Sequence, residues 1–393
     1  MITVFLLVLA AALGEYVLYN LIMLIAGLAR SERKSSAFTP PLSVIIPVHN
    51  EERHIRRKLE NVLQSEYPRE RLEVVVVDDG STDGTAQIVR EFEREEVVLI
   101  ETAERKGKIT AQKTGFGRTS APIIVITDAT VLAPPDALKK LASHFEDPRV
   151  GAVSTAMVVR NRRTNYLTRI AQFLFDLQNA QKLGESSLDS AGGLFGQFSL
   201  VRREAIGDFR TDVIYEDREF GITLRRRGYR CRFEPSVQAS YYAAESLEDF
   251  SRQKQRNIGA MTQSIFRHKD MLFNPRYGWY GLLILPEYSL FRVLRPCLII
   301  AGFVGTFLSA LAADPGVLVP LLIGMTGMTF ACYLAGTMLL APLVREPARF
   351  LLDVLTTAPV MVLILIQFAI GGIRYLRGDF DAMWQRVKRD RAL

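Results

Sequence analysis

The sequence has little cysteine, and the few that occur lie far apart. Cys231, Cys297 and Cys332 are the only three in 393 residues. Thiols at such spacing form neither a disulfide framework nor the paired ligands of a zinc site. This excludes a disulfide-stabilised secreted domain and is consistent with a reduced, cytoplasmic environment for the polar part of the chain.

Charge is nearly absent from the N-terminus. Residues 1–29 carry a single charged side chain, Glu15, and form an apolar run long enough to cross about 30 Å of hydrocarbon. A signal peptide is the competing interpretation, but no positive region precedes the run, which also exceeds the usual apolar length. The pattern therefore predicts a retained transmembrane anchor. Arg30, Arg33 and Lys34 follow it, and the positive-inside rule then places the next domain in the cytoplasm.

The C-terminal part resembles a membrane region more than a second soluble domain. Three further apolar stretches cover 294–313, 317–343 and 350–373. Residues 277–296 mix aromatic, leucine and arginine side chains, which predicts a helix lying in the membrane interface, and 297–373 is predicted to hold transmembrane or re-entrant helices. The basic tail 374–393 favours a cytoplasmic C-terminus, whereas one anchor plus three spans would export it. A re-entrant 350–373, which contains Pro359, resolves the conflict, and we favour the cytoplasmic tail.

The net charge of +7 could indicate a nucleic-acid partner. Here the basic residues cluster beside the apolar segments, so anionic lipid is the better partner. We therefore expect a lipid bilayer and no nucleic acid among the partners.

The region 42–276, after a linker at 30–41, predicts an α/β domain with a mostly parallel sheet. Near-continuous apolar runs typical of buried strands occur at 42–48, 72–78, 97–101 and 122–128. Helical periodicity with polar outer faces occurs at 51–65 and 82–96. Ligands of such sheets bind outside the carboxyl ends of the strands, where Asp78, Asp79 and Asp128 fall.

Several motifs combine acids, lysines and glycine where such a ligand would bind. Asp78 and Asp79 lie in VVDDGSTDGT, which is either a capped turn or a ligand site. Lys108, beside Gly107, comes just before the strand that ends on Asp128. Glu216 and Asp217 begin another helix, where acids either stabilise the helix terminus or supply a general base.

Six motifs, in this order, resemble the membrane-bound family 2 glycosyltransferases, the group of the cellulose, hyaluronan and poly-N-acetylglucosamine synthases. They are SVIIPVHNEE, VVVVDDGSTDGT, GKITAQKTGF, ITDATVLAPPDAL, YEDREFGITLRRRGYR and QKQRN, and the resemblance covers roughly residues 40–300. It implies a GT-A fold, a nucleotide-diphosphate sugar as donor, most often a UDP-sugar, and inversion at the anomeric carbon.

The resemblance also implies roles for individual residues. Asp217 matches the catalytic base. The residues implied to contact the donor are Pro47, Glu51, Asp78, Asp79, Lys108 and Asp128. Those implied to lie near the pyrophosphate or the acceptor are Glu216, Gln253, Arg256 and Gly196.

Two positions depart from the family pattern. Thr130 stands where the metal-binding Asp-x-Asp motif has its second acid, so we expect Mg²⁺ or Mn²⁺ centred on Asp128, with Thr130 as a weak second ligand. Asn257 stands where processive synthases carry Trp, which puts long-chain synthesis in doubt.

The sequence therefore predicts an inverting transferase that moves a sugar to a lipid-linked or polysaccharide acceptor at the cytoplasmic membrane face. The alternatives are a processive polysaccharide synthase, a catalytically inactive sugar-nucleotide-binding membrane protein, and a component of a polysaccharide-export channel.

Overall fold

The computed structural model describes residues 1–30, 37–194, 196–207, 209–313, 315–357, 370, 374 and 377–378. The strands are β1 Leu42–Val48, β2 Leu72–Asp78, β3 Val97–Glu101, β4 Ile123–Thr127, β5 Val150–Val159, β6 Phe198–Arg202 and β7 Arg230–Tyr241. The helices are α1 Ile2–Leu28, α2 Ile55–Leu63, α3 Thr85–Arg90, α4 Lys108–Arg118, α5 Ala137–Ala142, α6 Tyr166–Ser187, α7 Arg203–Ile206, α8 Glu216–Arg226, α9 Leu247–Arg267, α10 Arg292–Ala313 and α11 Leu318–Met338.

The strands form one seven-stranded sheet in the order β3-β2-β1-β4-β6-β5-β7. The pairs along β3-β2-β1-β4 and the pair β5-β7 are parallel, and β6 runs antiparallel to both of its neighbours. This confirms the predicted mostly parallel α/β architecture. Three of the predicted strands match the observed bounds, and the fourth shortens to β4.

Near-continuous apolar strands are stable here because helices cover the sheet. All five residues of β4 are buried, and α4 lies against β1 and β2. The approach of α4 is close enough that a Cβ at Gly115 would lie 2.6 Å from Cγ2 of Ile45. A larger residue would push α4, and the Lys108 at its start, away from the sheet.

The chain divides into two compact units, and residues 163–188 and 244–276 do not group with the sheet. The sheet unit comprises Ser31–Arg162 and Asp189–Ala243. The helical unit comprises Met1–Arg30, Arg163–Leu188 and Ala244–Leu393. This differs from a single catalytic range 42–276, because α6 and α9 bury their faces with the other long helices.

The helical unit is held by close packing and by buried polar contacts. A Cβ at Gly184 of α6 would lie 2.4 Å from the carbonyl oxygen of Met23, so only glycine permits this approach to α1. Tyr19 of α1 donates to Oε1 of Glu185 at 2.7 Å.

Among the residues that the structure describes, three helices are long and apolar enough to cross a membrane: Ile2–Leu28, Tyr280–Ala313 and Leu318–Leu343. The first coincides with the predicted anchor. The predicted interfacial segment 277–296 largely runs into the second helix without a break, through π-helical turns at Tyr280–Ile284 and Pro286–Phe291. Most of the predicted segment 350–373 and of the basic tail lies outside the described residues.

Candidate active site

The carboxyl ends of β1, β2 and β4 meet at one edge of the sheet, because these strands are parallel neighbours. Pro47 lies beside Val77 in the register, and Asp78 beside Val48. Asp128 follows β4 directly. The acids that the sequence places at strand ends therefore come to the same edge.

Backbone loops organise this edge. The N–H of Glu51 donates to Oγ1 of Thr85 at 2.8 Å, and the N–H of Ser81 donates to Oδ1 of Asp78 at 2.9 Å. The first contact joins the loop after β1 to the start of α3, and the second joins the loop after β2 to the last residue of that strand. Pro47, Glu51 and Asp78 thus lie in one connected set of turns.

Asp79 binds the loop that precedes α4. Its Oδ1 accepts from the N–H of Lys106 and its Oδ2 from the N–H of Gly107, both at 2.7 Å. Gly107 has a φ of +93°, a conformation that favours glycine. Both oxygens of the Asp79 carboxylate thus accept hydrogen bonds from the backbone of the chain itself. The consequence is a fixed position for Lys108.

Lys108 lies between two carboxylates. Its Nζ is 2.8 Å from Oδ1 of Asp128 and 3.1 Å from Oε1 of Glu216. Gln112, one turn further along α4, also donates to Oε1 of Glu216, at 3.0 Å. Burial alone would lower the pKa of Lys108, but attraction by Asp128 and Glu216 outweighs it and raises the pKa. The lysine is consequently a permanent cation whose side chain is still 40% exposed.

Asp217 is adjacent to this cluster at the start of α8. Its Oδ2 accepts from the N–H of Gly196 and its Oδ1 from the N–H of Arg218, both at 2.7 Å. Burial, and then the like charge of Glu216, raise the pKa of Asp217, although Lys108 and the two N–H groups oppose the shift. An oriented carboxylate with a raised pKa has the properties of a general base.

Gly196 approaches Asp217 so closely that no other residue fits without movement. A Cβ at this position would lie 2.8 Å from Oδ2 and 2.9 Å from Cγ of Asp217. The glycine predicted near the acceptor is thus in contact with the predicted base.

A divalent cation would find an incomplete set of protein ligands. Among the described residues, no group of three His, Cys, Asp or Glu side chains is placed to hold a metal ion. Asp128 offers one carboxylate, 16% exposed, and Thr130 is buried. This fits a cation of the Mg²⁺ type that completes its shell with diphosphate oxygens and water.

Sequence reasoning missed Lys58. This residue of α2 is fully buried, and its Nζ donates to Oγ1 of Thr127 and to the carbonyl of Val131, both at 2.7 Å. A signal was present, since Ile55, Lys58 and Leu59 share the inner face of α2 at helical spacing. The residue type itself argues against burial, because lysines are usually exposed.

Gln253 and Arg256 lie on α9, in the helical unit, whereas every other predicted site residue belongs to the sheet unit. Their predicted roles stay predictions.

Comparison with known proteins agrees with this geometry. Residues 43–209 match the sequence model of the family described as glycosyl transferase family 2. The chain is 28% identical over 247 residues to an N-acetylglucosaminyltransferase of Azorhizobium caulinodans, covering 59% of this chain and 62% of the relative. It is 27% identical over 221 residues to the poly-β-1,6-N-acetyl-D-glucosamine synthase of Staphylococcus aureus, covering 55% of this chain and 53% of the relative. The matched part is thus less than two thirds of each relative.

A solved structure is similar over nearly the whole length. The mannosyltransferase PcManGT from Pyrobaculum calidifontis, in complex with GDP-Man and Mn²⁺, superposes with a TM-score of 0.72 at 25% identity. The similarity covers 95% of this chain and 98% of that one. Together with the sheet order and the family match, it shows that this chain has a GT-A fold and that residues 43–209 form a domain of the glycosyl transferase family 2 type.

Proposed function

We propose that this protein transfers a sugar, with inversion, from a nucleotide-diphosphate sugar to a lipid-linked or polysaccharide acceptor at the cytoplasmic face of a membrane. The observation that carries the proposal is the cluster at the sheet edge. It places an ion-paired Lys108 and the Asp128 carboxylate beside an oriented Asp217 of raised pKa.

Asp217 is the proposed general base. The acceptor hydroxyl oxygen attacks the anomeric carbon, its proton passes to the Asp217 carboxylate, and the bond from that carbon to the diphosphate oxygen breaks. Its two N–H contacts, from Gly196 and Arg218, hold the carboxylate in one orientation. Proton removal by a positioned base contributes about 10²–10⁴-fold to the rate.

The leaving diphosphate gains negative charge, and Lys108 is the proposed cationic partner for it. Lys108 pairs with Asp128 and Glu216. Its partly exposed ammonium can move from them to a phosphate oxygen. Mg²⁺ or Mn²⁺ at Asp128, with Thr130 nearby, would supply further neutralisation of the diphosphate.

The donor is proposed more narrowly from the comparisons. The family resemblance favours a UDP-sugar, and the curated relatives are named for N-acetylglucosamine products. The solved neighbour, similar along 95% of this chain, holds GDP-Man. UDP-N-acetylglucosamine and GDP-mannose are therefore the two donors to test first.

For the acceptor we favour a single transfer to a lipid-linked acceptor over processive synthesis. Asn257 stands on α9 where the processive enzymes carry Trp, and stacking of an acceptor sugar on that ring is lost. The three candidate membrane helices support a bilayer as the site of action, and Arg30 directly after α1 supports the cytoplasmic side.

The test is release of free nucleotide by the detergent-solubilised full chain, across UDP-, GDP- and dTDP-sugars, with and without EDTA and with added membrane lipid extract. Release from one donor, increased by lipid and lost with EDTA, supports a metal-dependent lipid-directed transferase. Release that survives EDTA removes the metal from the proposal. Nucleotide binding without any release in the presence of lipid favours the inactive sugar-nucleotide-binding alternative.

A further inference from the structure

Lys58 is an unusual residue for the place that it occupies. It is a fully buried lysine in the sheet unit, and its neighbours are two neutral oxygens and a ring, since its Nζ lies 5.4 Å from the centroid of Phe198. Within the described part of the chain, no carboxylate forms an ion pair with it. Burying an ammonium without such a partner costs several kcal/mol unless another interaction offsets that cost.

The two oxygens that Lys58 binds flank the predicted metal motif. Thr127 immediately precedes Asp128, and Val131 immediately follows Thr130. The N–H of Val131 also donates to the carbonyl of Asp128 at 3.2 Å, which closes the turn. Lys58 therefore holds both ends of the segment that carries Asp128 and Thr130.

The charge of Lys58 acts on that segment at short range. Burial lowers the pKa of Lys58 to about 7, and attraction by Asp128 opposes the shift while repulsion by Arg160 adds to it. Arg160 is held by Ser240, whose Oγ accepts from its Nη2 at 2.9 Å. The positive charges of Lys58 and Arg160 thus lie close to each other near the Asp128 turn. This turn presents one carboxylate, whereas the family motif has two.

We propose that Lys58 is a positioning residue whose buried positive charge attracts the donor diphosphate to the Asp128 turn and repels a divalent cation from it. The inference rests on the proposed function, because it assumes that the diphosphate binds at Asp128. Lys58 would then neutralise part of the negative charge of the diphosphate, which a metal held by two acids would otherwise neutralise.

A purely structural role and the proposed electrostatic role of Lys58 predict opposite changes in metal affinity when the lysine is replaced. If Lys58 only shapes the turn, its loss weakens the binding of nucleotide and of metal together. If its charge matters, its loss weakens nucleotide binding and strengthens metal binding, because the same charge attracts one ligand and repels the other.

The experiment compares the full-length protein with Lys58→Met, which removes the charge, and Lys58→Gln, which keeps a polar group near the turn if the methionine variant does not fold. UDP and GDP are titrated at saturating Mn²⁺, and Mn²⁺ is titrated at saturating nucleotide. A buffer near pH 6 keeps the lysine protonated. Lys113→Met, an exposed lysine of α4, is the matched control.

We expect a nucleotide dissociation constant about tenfold higher and a Mn²⁺ dissociation constant several-fold lower in the Lys58 variants, with no change in Lys113→Met. Thr127→Val, which removes one acceptor and keeps the charge, should leave nucleotide affinity within about twofold of the wild type. Equal weakening of both ligands, unchanged nucleotide affinity, or a Thr127→Val effect as large as that of Lys58→Met would overturn the inference. Failure of the wild type to bind either nucleotide would instead contradict the proposed function itself.

Discussion

At the scale of single residues, the surroundings of Asp217 distinguish it from the other acids of the sheet edge. Asp79 uses both carboxylate oxygens to hold a backbone loop, and Asp128 pairs with Lys108. Asp217 is oriented by two N–H donors and has a raised pKa because of burial and the neighbouring Glu216. It is therefore the acid best suited to exchange a proton during turnover.

Asp217→Asn should reduce sugar transfer by about 10²–10⁴-fold and leave nucleotide affinity nearly unchanged. The amide keeps the size of the side chain but cannot accept the acceptor proton. Turnover and nucleotide titration on the same preparation provide the measurement, with Asp212→Asn, an exposed position, as the control. Wild-type turnover in the variant would remove Asp217 from the mechanism.

The raised pKa of Asp217 also predicts the pH dependence. The base works only when ionised, so activity should fall as the pH drops through its pKa. Because that pKa is raised, the loss should begin at a higher pH than for an ordinary aspartate. A profile of kcat/KM against pH gives the position of this acid limb. An acid limb at the ordinary pKa of aspartate would contradict the role of Asp217 as the general base.

At the scale of elements, two loops hold the proposed reacting groups in position at the sheet edge. The loop before α4 is held by Asp79, and the chain before β6 places Gly196 against Asp217. Each contact fixes a side chain of the proposed site, Lys108 in the first case and Asp217 in the second. Substitutions here should change activity through position rather than through charge.

Gly196→Ala should lower turnover at least tenfold, because a Cβ would lie 2.8 Å from Oδ2 of Asp217 and must displace the carboxylate. Nucleotide affinity should be unaffected. Gly117→Ala is the matched control, since a Cβ there meets nothing within 4 Å. Equal turnover in the two variants would show that the Gly196 contact is not needed.

Asp79→Asn should lower the free energy of unfolding by about 1–3 kcal/mol, because the amide NH₂ would face a backbone N–H that has lost its acceptor. It should also weaken nucleotide binding, since the loop that positions Lys108 is loosened. Thermal unfolding and nucleotide titration, again against Asp212→Asn, test both effects. An unaltered midpoint would mean that the loop keeps its place without this carboxylate.

At the scale of the whole molecule, the helical unit contains buried charges of its own. The Nη2 atom of Arg295 on α10 lies 2.5 Å from Oε2 of Glu15 on α1 and 2.6 Å from Oε2 of Glu287. All three side chains lie within candidate membrane helices, where unpaired charge is costly. One arginine therefore joins the N-terminal helix to the helix that begins at Tyr280.

Arg295→Met should destabilise the detergent-solubilised protein by about 3 kcal/mol, because Glu15 would lose its arginine partner and Glu287 would keep only Arg292, at 3.6 Å. The measurement is the unfolding midpoint in detergent, followed by an apolar-surface dye. Arg276→Met, an exposed arginine of the same unit, is the control. Equal midpoints in both variants would show that this cluster does not hold the helices together.

Much of the architecture could be predicted from the chain alone. Apolar runs at 42–48 and 72–78 form β1 and β2 because strands buried on both faces need continuous apolar sequence. The strand-end acids Asp78 and Asp128 followed from the rule that ligands bind at carboxyl ends. Such features depend on composition and period, which are local properties of the sequence.

Other features required the folded chain. They are contacts between residues far apart in sequence. Lys108 lies between Asp128 and Glu216, and Gly196 touches Asp217. Lys58 is buried against the predicted metal motif. The assignment of α6 to the helical unit is of the same kind. Periodicity shows which face of an element is apolar, but it does not say which other element covers that face. Composition and period therefore specify the elements and the kinds of side chain at the site, whereas tertiary packing sets which side chains meet and how their pKa values shift.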